Sequence, residues 1–140
     1  MEQTENKLTL PALLENLEPF QDFIAACARN RCLPEDRILK LQLASEEALM
    51  NIFSYAYPDD DPGAVTVRCF RQDSDDLLIS FEDRGKAFDV LSVEDPDTGL
   101  SLEERTVGGL GIYFIKKMTD DVWYARKENK NILTFRMRLS

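Results

Sequence analysis

Apolar residues along this 140-residue chain change their period several times, and each change marks an element. Lys7 to Leu10 alternates and reads as a short first strand closed by Pro11. From about Ala12 to Arg31, Leu13, Leu17, Phe20, Ile24 and Ala28 recur at spacings of three and four, the stripe of an amphipathic helix, with Pro19 limiting its first turn. Leu33-Pro34-Glu35-Asp36 carries a helix start signal, proline followed by acids, for a longer helix reaching about Tyr57, where Pro58 and an acidic turn stop it. Ala64 to Arg71 and Leu77 to Glu82 are β-rich runs joined by a polar segment and predict a hairpin. Between Asp83 and Gly109 the periodicity fails, and a segment of that length in a compact domain reads as a functional lid or a disordered linker. A short helix follows from about Leu110 to Met118, then a second hairpin, Asp121 to Lys127 and Ile132 to Leu139, across Glu128 to Asn131. The order β-α-α-β-β-lid-α-β-β predicts an α+β two-layer sandwich, a mixed and largely antiparallel sheet with helices on one face, in a single domain spanning residues 1–140.

Composition narrows the chemistry. With 17 basic against 26 acidic side chains the formal charge is −9, which repels nucleic acid and anionic lipid over most of the surface. There is no histidine, so Ser-His-Asp triads, Cys-His pairs and histidine zinc sites are excluded. Three cysteines without CxxC spacing, behind an N-terminus unlike a signal peptide, fit a reducing cytoplasm; Cys27 and Cys69 read as small core hydrophobes. No apolar run approaches the roughly 20 residues that span a bilayer. Charge is also uneven: residues 1–104 hold 9 basic and 23 acidic side chains, residues 105–140 hold 8 and 3, so an anionic ligand prefers the C-terminal quarter.

Three constellations could carry chemistry. On the second helix, Glu47 and Asn51 are four apart and share a face, setting a carboxylate beside an amide. Asn is a poor residue for a helix interior and asks for a reason. Asp83-Arg84-Gly85 leaves a strand, where the carboxylate can accept from an exocyclic amine and the glycine admits a flat ligand. Gly108-Gly109-Leu110-Gly111 opens the third helix, where main-chain N–H groups can close on phosphate oxygens; the run fits neither Walker A nor the Rossmann fingerprint.

The three in this order resemble the boxes of the bacterial anti-sigma-factor serine/threonine kinases, small members of the GHKL (Bergerat-fold) ATPase superfamily. Residues 43–57 (LASEEALMNIFSYAY) are similar to the N-box, 81–91 (FEDRGKAFDVL) to the first glycine box and 107–126 (VGGLGIYFIKKMTDDVWYAR) to the second. The resemblance implies ATP and Mg²⁺ as cofactors, Glu47 as general base and Asn51 as the Mg²⁺ ligand. It implies Asp83 against the adenine amino group with Gly85 beneath the base, and Gly108, Gly109 and Gly111 around the phosphates and at the hinge of an ATP lid at about 84–109. Thr134 on the last strand matches a position near adenine in relatives. Arg105, in the basic part of the chain just ahead of the glycines, is a candidate γ-phosphate contact. The sequence departs from the first box at Lys86 and Val90, where relatives often carry proline.

The resemblance further implies a cytoplasmic homodimer that phosphorylates an anti-anti-sigma (STAS-domain) protein and sequesters a sigma factor, with no nucleic acid or membrane bound directly. Two other readings remain at this point: a nucleotide-dependent binding module without catalysis, and a detached histidine-kinase-like ATPase domain. A retained Glu47 speaks against the first; the second lacks both a phosphoacceptor histidine and a preceding helix pair.

Overall fold

The computed structural model describes residues 6–58, 61–71, 76–89, 91 and 109–139. Strand β1 (Asn6–Pro11) leads through a 3₁₀ turn (Leu14–Asn16) into α1 (Leu17–Asn30), followed by α2 (Glu35–Tyr55), β2 (Ala64–Phe70), β3 (Leu77–Asp83), α3 (Gly109–Met118), β4 (Asp121–Lys127) and β5 (Lys130–Met137). The predicted first helix is thus divided. Asn16 turns its amide onto the Pro11 carbonyl at 2.8 Å, and α1 starts where Pro19 falls in the first turn, whose N–H groups need no helical partner. At its other end Cys32 takes φ 64° while Leu33 N–H bonds to Ala28 O and Cys32 N–H to Arg29 O, a Schellman closure.

The five strands lie in the order β1-β2-β3-β5-β4, and every neighbouring pair is antiparallel. The sandwich is as expected from the sequence, with no parallel pair among the described strands. Register sorts the side chains. Val65, Val67 and Cys69 of β2 lie beside Asp83, Phe81 and Ile79 of β3, which lie beside Asn131, Leu133 and Phe135 of β5. This face meets Phe20, Ile24, Ile38, Leu41 and Leu49 of α1 and α2 in one buried cluster. Cys27 and Cys69 are both buried inside it, and the neighbouring Cys27 together with burial pushes the Cys69 thiol up, so that it stays protonated. The opposite face carries the ion pairs Arg68–Glu82, Lys130–Glu82 and Arg136–Asp76.

One turn differs from expectation with a consequence for the site. The second hairpin closes through Glu128 and Asn129 alone, both at positive φ (53° and 64°), with Lys127 paired to Lys130. Two left-handed residues match the strand twist in such a hairpin, so β5 starts two residues earlier than predicted and Asn131 is a strand residue. Among the described residues no helix is long and apolar enough to cross a membrane.

Candidate functional site: a cleft between the second helix and the sheet

The C-terminal half of α2 passes over the ends of β3 and β5 and leaves a narrow cleft between helix and sheet. Its walls include Ala48, Asn51, Ile52 and Tyr55 of α2, Phe81 and Asp83 of β3, Lys86, Phe88, Tyr124 and the β5 residues Asn131 and Leu133. Both polar residues that the sequence placed on separate motifs, Asn51 and Asp83, therefore face one cavity.

Asn51 is 4% exposed, and neither its Oδ1 nor its Nδ2 has a hydrogen-bond partner among the described residues. Leaving an amide buried and unpaired costs about 1–3 kcal/mol, a cost that a ligand oxygen or cation at this wall removes. Glu47 lies one helical turn earlier on α2, half-buried, and desolvation followed by the neighbouring Glu46 charge pushes its carboxyl above the usual glutamate range.

Asp83 is buried where β3 ends. Its Oδ1 accepts the Gly85 N–H at 2.9 Å and the Asn131 Nδ2 at 2.9 Å. Burial pushes its carboxyl above the ordinary 3.8, while these two donors and the Arg126 charge pull it back. Gly85 could be no other residue: a Cβ there would stand 2.1 Å from the Ala56 carbonyl oxygen, which caps the end of α2 by accepting the Lys86 N–H at 3.0 Å. Arg126 donates to the Gly85 carbonyl at 2.9 Å, and the Tyr57 hydroxyl bridges the Arg84 N–H and the Ala64 carbonyl at 2.7 Å each. The loop after β3 is thereby tied on three sides. The orphaned amide and the buried carboxylate on one cleft together fit an adenine nucleotide with a divalent cation.

The other sequence candidates divide. Gly109 and Gly111 open α3, as expected of a helix start. Gly108, Arg105 and the lid beyond residue 91 lie outside the described residues. Thr134 is a correction: it pairs with Ser80 and Trp123, and strand alternation puts it on the sheet face opposite Leu133, away from the cleft. On β5 the cleft is met by Asn131 and Leu133 instead. Sequence reasoning missed Asn131 by assigning it to the turn, although stepping back by twos from Met137, Phe135 and Leu133 reaches it. Among the described residues no group of acidic or cysteine side chains could by itself hold a metal.

A helix-flanked antiparallel sheet with this cleft agrees with the class of histidine kinase-like ATPase domains. The model of that family, the histidine kinase-like ATPase domain, matches residues 10–137, and the chain belongs to it. Within the family it is similar to bacterial serine-protein kinases. It is 29% identical to the serine-protein kinase RsbW of Bacillus cereus (strain G9842) over 138 residues, 95% of this chain and 85% of that one. It is 30% identical to the serine/threonine-protein kinase BtrW of Bordetella bronchiseptica over 94 residues, 67% of this chain and 66% of that one. Among solved structures, the RsbU and RsbW domains of Rv1364c from Mycobacterium tuberculosis share the fold at a TM-score of 0.68 and 14% identity, over 97% of this chain and about a third (32%) of that longer one.

Proposed function

We propose that the protein is an ATP- and Mg²⁺-dependent serine/threonine kinase that phosphorylates a small STAS-type antagonist and holds a sigma factor inactive, acting as a dimer in the cytoplasm. The observation that carries this reading is the buried, unpartnered Asn51 amide on the same cleft as Asp83, with Glu47 one turn away. A kinase needs these three groups, and sequestration alone does not need the base.

Asp83 Oδ2 accepts the amino group of adenine while Gly85 lets the base lie against the main chain. Asn51 would hold Mg²⁺, and a cation there would neutralise phosphate charge. Gly108, Gly109 and Gly111 offer main-chain N–H groups to the phosphates at the start of α3, where the helix dipole favours anions. Arg105 contacts the terminal phosphate from the lid. Glu47 takes the proton of the incoming serine or threonine hydroxyl; burial and the Glu46 charge, which push its carboxyl above the usual glutamate range, make it a stronger base than an exposed glutamate.

Glu47→Gln tests the assignment. The variant should bind ADP as the wild type does, yet transfer labelled phosphate from ATP to a STAS protein about a hundredfold or more slowly. Undiminished transfer removes Glu47 from the reaction.

A further inference from the structure

Four hydrogen bonds converge on one side chain at the floor of the cleft. Asn131, 6% exposed, donates from Nδ2 to Asp83 Oδ1 at 2.9 Å and to the Lys86 carbonyl at 2.8 Å. Its Oδ1 accepts the Tyr124 hydroxyl and, at 3.3 Å, the Phe88 N–H. An amide has two N–H donors and two acceptor lone pairs, so its whole capacity is used. The side chain cannot be turned over, because that would aim Oδ1 at a carboxylate oxygen and a carbonyl. Gly85 N–H fills the second acceptor position of Asp83 Oδ1. The other carboxylate oxygen, Oδ2, has no hydrogen-bond partner among the described residues.

We propose that Asn131 is a positioning residue for purine selection: it locks Asp83 so that Oδ2 alone faces the ligand as a fixed acceptor, and this favours 6-aminopurine over 6-oxopurine nucleotides. The inference rests on the nucleotide reading above and concerns a residue that does not itself touch the base. A 6-aminopurine offers an N–H donor at C6, which a fixed carboxylate oxygen accepts. A 6-oxopurine offers a carbonyl oxygen there, which a carboxylate repels, and an N–H at N1, which a carboxylate free to swing can reach. Discrimination therefore depends on how firmly Asp83 is held. Asn131 holds the Lys86 and Phe88 main chain with the same amide, so carboxylate and cleft wall move together or not at all.

Calorimetric titration of the full chain with ADP and with inosine diphosphate tests this in the wild type, Asn131→Ala and Tyr124→Phe, with circular dichroism confirming the fold of each. The wild type should prefer ADP at least roughly tenfold, since a misplaced polar group in a site built for hydrogen bonding is strongly rejected. Asn131→Ala should reduce that preference by about tenfold. Tyr124→Phe removes one acceptor contact and keeps both donors, so the preference should fall less; it also carries the test if Asn131→Ala does not fold. A folded variant that weakens both nucleotides equally, leaving the preference unchanged, overturns the proposal and leaves Asn131 a scaffold residue. A wild type that binds neither nucleotide overturns the nucleotide reading instead.

Discussion

Asn51 shows how a residue costly to the fold marks a site. It stands in a helix interior where Asn is a poor choice, it is buried, and its amide is unsatisfied. The first of these signs was legible in the sequence; the other two depend on the sheet that α2 covers. Removing the polar group should reveal the cost. Asn51→Leu, similar in size, should unfold at higher urea by about 1 kcal/mol while losing nucleotide binding, the usual trade between stability and function.

Asp83 carries a cost of the same kind with a pH signature. An acid whose pKa is raised on folding binds its proton more tightly when folded, so the ionised group subtracts from stability at neutral pH. That loss is relieved as the pH falls through the window from its elevated folded value down to the ordinary 3.8. Without ligand, Asp83→Asn should therefore be at least as stable as the wild type near pH 7, with its advantage shrinking through that window in urea unfolding curves. An advantage that grows as the pH falls would contradict the sign.

At the scale of elements, periodicity, start signals and β-rich runs located the three α-helices and five strands found among the described residues. Pairing register was not legible, and register decides which residues share the cleft. A strand alternates with period two, so a one-step difference moves a side chain to the other face. Thr134 is on the last strand, as the resemblance requires, but faces Ser80 and Trp123 across the open side of the sheet. Asn131 reaches the cleft because two positive-φ residues, Glu128 and Asn129, suffice to close the hairpin. No sequence rule favours Glu at such a position. Thr134→Val should accordingly leave ADP affinity unchanged within about twofold, a change of no more than about 0.4 kcal/mol. A loss of tenfold would return Thr134 to the pocket.

Over the whole molecule, the basic charge of the C-terminal quarter is not all directed at one anion site. Part of the basic charge after residue 104 is engaged on the open sheet face or at its rim: Arg136 pairs with Asp76 and Asp121, and Lys130 with Glu82. Arg126 instead turns to the Gly85 carbonyl at the cleft. The absence of histidine keeps its force, since Glu47 is the half-buried carboxylate one turn from the cleft amide. Fold and family follow from pattern and motif order; the packing of α2 over β3 and β5 turns separate motifs into one site.

The central claim is that this site takes adenine through Asp83. Calorimetric titration of ADP with Mg²⁺ into the wild type and Asp83→Asn tests it most directly, with urea unfolding of both as control. The predicted result is one nucleotide per chain in the wild type and an affinity reduced roughly tenfold to a hundredfold in the variant, the worth of a hydrogen bond to a charged group, with no loss of stability. Equal affinity in two equally stable proteins would contradict it.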